Sequence, residues 1–330
     1  MSGCVDNLIA VIGFSSAPSP LEPAWPSTHR ALLPVAGKAL IVRLIEQLAR
    51  AGIRHVRVAG SIQQYAVRQR LVDGNEWGVT VRYADLHGAD LRLQTLLEHG
   101  HALYVCGDNL HVADFSRLRA TDGASVVDAL ARSEAPAYWS LGSDGPVRSA
   151  ISAATSRPYL REPLLTAASF HAASVEAAAN NEDQIPVPGY RVRPGLYIDW
   201  DSHISPSARL GQSIIVGKHC RIGRRVHLAE RCVIGSGAVI ARNTHLSNVS
   251  VLPNTYVGAG TRLRDAVITP LGLFSLDGTF LPSPDPSVIG RARRNAERRT
   301  GIPSEKRSVL ENTALRSAAN QSNLTGSFTQ

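Results

Sequence analysis

The chain has 330 residues, enough for two domains, and its 44% hydrophobic content is that of an ordinary globular protein. No apolar run reaches the roughly 18 residues a membrane-spanning helix needs, which argues against a helical membrane protein. The formal net charge is +8, but residues 291–307 (RARRNAERRTGIPSEKR) hold seven basic and two acidic residues, a net of +5, so the remaining +3 does not indicate a basic nucleic-acid-binding core.

The first half alternates strand-like and helix-like segments. MSGCVDNLIAVIGF has no positive region ahead of its apolar stretch, so Leu8–Ile12, closed by Gly13, reads as a buried strand rather than a signal peptide. Residues 13–41 follow as a loop with four prolines between 18 and 26 (Pro18, Pro20, Pro23, Pro26), ending in LLPVAGKALI, which reads as the start of an amphipathic helix. Ile41, Leu44, Ile45 and Leu48 fall at i, i+3, i+4 and i+7 on one helix face, stopped by Gly52. IRHVRVAG predicts a strand, 62–72 a helix, WGVTVRYAD (77–85) a strand, 89–98 a helix, and ALYVCGDN a strand ending in Gly107-Asp108. This alternation predicts an α/β fold, a parallel, Rossmann-like nucleotide-binding sheet with helices on both faces. Ligands of such sheets lie at the carboxyl ends of strands, where Gly13 and Asp108 fall. Residues 128–190, rich in Ala and Ser, give no element map.

The second half is periodic. In sixes from Ile204 it reads ISPSAR, LGQSII, VGKHCR, IGRRVH, LAERCV, IGSGAV, IARNTH, LSNVSV, LPNTYV, with Ile204, Leu210, Val216, Ile222, Leu228, Ile234, Ile240, Leu246 and Leu252 in phase. This is the hexapeptide repeat of a parallel β-helix, expected to be left-handed, with three sixes per coil and the phase slipping by one at Val257. Cys220 and Cys232 fall on inward positions; with Cys4 and Cys106 they show no metal spacing, which fits reduced thiols in a cytoplasmic protein. The predicted organisation is therefore an α/β domain over 1–190, a β-helix over 191–282 and a mostly disordered basic tail over 283–330 that offers a contact for an anionic partner.

LLPVAGKALIVRLIEQLARAGI, GVTVRY and YVCGDN, followed by GYRVRPGLYIDWDSHISPSARL and LSNVSVLPNTYVGAGTRLRDAVI, together resemble the sugar-1-phosphate nucleotidylyltransferases. The likeness is to the NDP-sugar synthase and mannose-1-phosphate guanylyltransferase-like members that accompany exopolysaccharide synthesis, and it covers roughly residues 6–110 and 189–280. It implies transfer of a nucleotidyl group from an NTP to a sugar 1-phosphate with release of pyrophosphate, using Mg²⁺. It also implies Ile12, Gly13, Phe14 and Gly107 as nucleotide contacts, Asp108 as a catalytic and metal-binding carboxylate, and Arg30, at the family's loop lysine, as a catalytic phosphate-neutralising cation. The family's loop glycines fall on Ser16 and Pro18 and its arginine on Pro20, and a proline has no N–H to give a phosphate. Glu162 in Arg161-Glu162-Pro163 stands where the family's lysine meets the sugar phosphate, HGADLRL replaces a Gly-Thr-Ala signature, and Asp199 and Asp201 are the nearest second metal carboxylates. The resemblance with these losses implies weak or lost turnover, a non-catalytic regulatory or scaffolding subunit being the alternative. Nucleotide and sugar phosphate are the expected ligands if binding is retained, and a homo-oligomer is expected because β-helix faces commonly associate. Hexapeptide coils also serve acyltransferases, for which His219, His227 or His245 would be the general base.

Overall fold

The structure, a computed structural model, describes residues 8–14, 19, 21, 24, 29–59, 65–99, 101–107, 110, 137–142, 145–150, 166–179 and 186–292. The chain divides into two compact units, Met1–Pro188 and Gly189–Gln330.

The first unit holds β1 (Ile9–Gly13), β2 (Pro34–Val35), β3 (Lys38–Ala39), α1 (Leu40–Arg50), β4 (His55–Ala59), α2 (Tyr65–Leu71), β5 (Thr80–Ala84), α3 (Gly88–His99), β6 (His101–Cys106), β7 (Ala137–Gly142), β8 (Gly145–Ala150) and α4 (Ala167–Ala179). Its sheet runs β5-β4-β1-β6-β7-β8. The first four strands are parallel, which with the intervening helices is the expected α/β core. β7 and β8, in the stretch that gave no pattern, extend it as an antiparallel edge.

The α1 stripe is buried as its spacing requires: Ile41, Ile45 and Leu48 are fully buried against Ala10, Ile12, Leu103 and Val105. Each such side chain contributes about 1.5–3 kcal/mol of burial. The helix ends in a Schellman closure, with Gly52 N–H donating to Ala49 O at 3.1 Å and Ile53 N–H to Leu48 O at 3.0 Å. That closure needs a left-handed residue, and Gly52 has φ 85°.

LLPVAGKALI does not start the helix. Pro34 pairs with Ala39 and Val35 with Lys38, making a two-residue hairpin that precedes Leu40. Its turn residues Ala36 and Gly37 have φ 47° and 81°, the doubly positive pattern of a type I′ turn. Pro34 has no N–H, and positive φ at two successive positions is incompatible with a right-handed helix, so periodicity alone placed the start too early.

The second unit contains β9 (Tyr190–Arg193), β10 (Leu196–Ile198), β11 (His203–Ile204), β12 (Arg209–Val216), β13 (Arg221–Ile222), β14 (His227–Ile234), β15 (Val239–Ile240), β16 (His245–Val251), β17 (Thr255–Val257), β18 (Arg262–Thr269), β19 (Gly272–Ser275), β20 (Phe280–Pro282) and β21 (Ile289–Arg291). They form an eight-stranded sheet, β20-β19-β18-β16-β14-β12-β10-β9, and a five-stranded sheet, β11-β13-β15-β17-β21. Parallel partners lie 18 residues apart, as in Leu210↔Leu228↔Leu246 and His203↔Arg221↔Val239. The in-phase residues from Val216 to Leu246 join Cys220, Val226, Cys232 and Ala238 in one core. Burial pushes the Cys220 thiol up to about 11 and the Cys232 thiol up to about 12, so both stay protonated and inert at neutral pH.

The slip in phase falls earlier than Val257. From Ser213 left-handed residues recur every six positions, at His219, Arg225, Arg231, Gly237 and Asn243, then after five at Asn248. Cys232 accordingly pairs with Val249 and Ile234 with Val251, an offset of 17. Val249 and Val251 take the core places that a constant period gives to Ser250 and Leu252. Chemistry makes this tolerable: Asn at the shortened corner is one of the few residues that accept a left-handed backbone at low cost.

The stretch after 283, read as the start of the tail, continues the fold to β21, antiparallel to β17. β19 likewise turns back on β18 and β20 on β19. The reason is the edge problem: β17 and β18 would otherwise leave unpaired N–H and C=O groups. The basic residues beyond 292 lie outside the described residues.

Candidate functional site

The carboxyl ends of β1 and β6 meet, with Gly107 N–H donating to Gly13 O at 2.7 Å. Gly107 is required there by space. A Cβ on it would sit 2.6 Å from Ile12 Cγ2, 2.7 Å from Phe14 Cε1 and 3.0 Å from Ile41 Cδ1. The structure thus brings together all four sequence-predicted nucleotide contacts, Ile12, Gly13, Phe14 and Gly107. Ile12 enters only as the floor, since its side chain is fully buried in the core. Phe14 stacks edge-on against His29, ring centroids 4.7 Å apart.

His29 in turn sets the next residue. Its Nδ1 accepts from Ala31 N–H at 3.2 Å and its carbonyl from Leu32 N–H at 2.8 Å, winding residues 30–32 into one tight turn. Arg30 lies in that turn, 3% exposed. Its Nε, Nη1 and Nη2 are all buried and none has a hydrogen-bond partner among the described residues. A guanidinium carries five donors and cannot shed its charge, so burying it unpaired costs several kcal/mol.

Arg43 on α1 shows what the same side chain does when its role is structural. It is 5% exposed, yet Nε and Nη2 donate to Val35 O at 3.2 and 2.7 Å, Nη2 also to Ala36 O at 3.3 Å, and Nη1 to Pro186 O at 2.8 Å. Burial lowers its pKa to about 10, still charged at neutral pH. Arg43 interrupts the apolar run Leu40–Leu48, a visible signal that sequence reasoning passed over. Also missed were the footholds of the proline-rich loop: Leu21 and Ala24 are buried and Leu21 N–H meets Ser19 Oγ at 3.4 Å.

Asp108, proposed as catalytic and metal-binding, lies outside the described residues, as do Ser16, Pro18, Pro20 and Glu162. Asp199 and Asp201 belong to the second unit and are engaged there. Asp199 Oδ1 accepts from Trp200 N–H at 2.9 Å, and Asp201 Oδ2 lies 2.6 Å from His219 Nδ1. Among the described residues no three His, Cys, Asp or Glu side chains gather in a way that could hold a metal ion.

The other histidines named from the sequence, His227 and His245, face each other across neighbouring strands, Nδ1 to Nδ1 3.1 Å. Partial burial, then His227, Arg262 and Arg264, hold the His245 pKa below its ordinary 6.5. The folded chain therefore takes up this proton less readily than the unfolded chain, so stability is fully present above about pH 6.5 and declines as pH falls through the window below it. The melting temperature should drop between about pH 7.5 and about pH 5.5, and His245→Gln should flatten that slope. An unchanged slope in the variant would assign the pH response elsewhere.

No protein-family model and no curated protein sequence matches this chain. No helix among the described residues is long and apolar enough to cross a membrane.

Proposed function

We propose that this protein binds phosphate-bearing ligands as a nucleotidylyltransferase-like member of sugar-nucleotide and exopolysaccharide metabolism, with weak or lost turnover. One observation carries the reading: the buried guanidinium of Arg30, without a partner among the described residues, next in chain to the His29 that stacks on Phe14 at the end of β1. A phosphate would accept from its paired N–H groups and neutralise its charge, converting a costly burial into a charge-assisted contact. That parallel α/β sheets hold ligands at the carboxyl ends of their strands supports this reading.

The second unit fits the same reading as a left-handed parallel β-helix. The 18-residue register and a left-handed corner every six residues are what a three-sided coil requires. Weak turnover follows from the loop chemistry. The reaction places negative charge around the α-phosphate, and Pro18 and Pro20 cannot donate to it. A nucleotide-dependent regulatory or scaffolding subunit is the form this takes if turnover is nil.

The test is paired. Purified protein with Mg²⁺ is given each nucleoside triphosphate and a panel of sugar 1-phosphates, and both melting temperature and pyrophosphate release are followed. The expected result is a ligand-dependent rise in melting temperature with little pyrophosphate. Absence of any shift with every phosphate ligand sinks the binding claim, and turnover at ordinary enzymatic rates sinks the weak-activity claim. A second reading, acyl transfer, has one observation behind it: Asp201 orients His219 through Nδ1, leaving Nε2 as the atom that would take a proton. Consumption of acyl-CoA dependent on His219 would favour it.

A further inference from the structure

The modest charge left outside the tail hides an uneven split. Residues 1–188 carry sixteen basic and eighteen acidic side chains, whereas 189–290 carry eleven basic and six acidic. Strand register concentrates much of that excess on one surface of the second unit. Arg209, His227, His245 and Arg262 open β12, β14, β16 and β18 and are direct neighbours in register. The next residue in each strand, Leu210, Leu228, Leu246 or Leu263, packs on the core, so alternation turns the first residue outward. Successive rungs lie about 4.8 Å apart. Arg264 repeats the outward position two residues on, and Arg224, Arg225 and Arg242 sit at the turns leading into these strands, all exposed.

None of these six arginines is in an ion pair among the described residues. The protein's salt bridges involve other residues, Lys38–Glu46 and Arg57–Glu98 among them. Of the two carboxylates on the same strands, Asp265 already accepts from Asn248 at 2.6 Å, which leaves Glu230. Between the basic rungs the outward positions hold Gly211, Ala229 and Ser247, so the cations rise from a smooth floor.

We propose that this face docks the protein on an anionic lipid bilayer. A flat array of unpaired cations suits a plane of negative headgroups, where attraction needs no groove and acts within a Debye length. Nucleic acid is less well served. The outward positions of these strands carry no Phe, Tyr or Trp on which bases would stack, and among the described residues of the second unit there is no helix to enter a groove.

The experiment is sedimentation of the full chain with vesicles of phosphatidylcholine alone and of phosphatidylcholine with about one-third phosphatidylserine, across a salt series. The expected result is binding to the charged vesicles only, weakening with salt. Each arginine removed should weaken binding roughly five-fold, so Arg209→Gln, Arg225→Gln, Arg242→Gln and Arg262→Gln combined should cost about several hundred-fold. The same four positions changed to Lys should retain binding, which separates charge from a folding defect. Because the basic tail is a competing source, Arg293, Arg294, Arg298 and Arg299 are changed to Gln in a second variant, expected to bind within about a factor of five of the parent. The proposal is overturned if the four-arginine face variant binds like the parent, or if the tail variant loses as much. It is equally overturned if the parent prefers an oligonucleotide to charged vesicles at equal salt.

Discussion

Arg30→Met is expected to stabilise the ligand-free protein and to abolish its phosphate binding. Methionine fills a comparable volume without a charge, so the variant escapes the desolvation of an unpaired guanidinium. A gain of about 1–3 kcal/mol is expected, which for a unit of this size raises the melting temperature by about 2–4 °C per kcal/mol. The phosphate-dependent rise in melting temperature should vanish, since loss of a charged hydrogen-bonding partner weakens binding by about 30-fold or more. The two readouts move in opposite directions. A variant that is less stable and still responds to phosphate would make Arg30 a packing residue. One that is more stable and still responds would move the ligand site away from the ends of β1 and β6.

Arg43→Ala should do the reverse, unfolding the first unit without reference to any ligand. The guanidinium holds the carbonyls of Val35, Ala36 and Pro186 together, clamping the Pro34–Ala39 hairpin to a segment over 140 positions away in sequence. Removing it leaves these buried acceptors without a donor, a loss of about 3–5 kcal/mol. Denaturant unfolding should show a lower midpoint with the slope unchanged. Arg43→Lys should recover only part of the loss, because a single ammonium cannot span carbonyls arranged for a planar fork. Full stability in either variant would remove the clamp from the account of the fold.

These two arginines also mark where sequence reasoning stops. Both are single letters in apolar surroundings, and burial of a charged residue is decided by what closes over it. For Arg43 the third carbonyl comes from Pro186, beyond a region with no readable pattern. Arg30 lies in a turn set by His29, whose ring meets Phe14 in a contact that no spacing rule connects. The elements themselves were more legible. The Ile41–Leu48 stripe with Gly52 after it gave a helix because a 3.6-residue period and a left-handed stop are both local. LLPVAGK misled because its apolar letters suit a helix, whereas its backbone angles belong to a two-residue turn.

The repeat unit divides in the same way. A six-residue period fixes which residues face inward as long as the period holds, and Val216 through Leu246 obey it. The five-residue step to Asn248, repeated at Asp265, leaves no mark in composition, since aliphatic residues occur in both frames around Asn248. Only strand register reveals that Val249 and Val251 take over. The sequence by itself determined the two architectures, their order and the strand ends where a ligand would sit, because these follow from local periodicity and turn chemistry. Tertiary structure alone decided that Arg30 is buried without a partner among the described residues and that Arg209, His227, His245 and Arg262, 17 or 18 residues apart, line up on one face. Both depend on which distant segments the chain brings side by side, and no window of sequence contains that information.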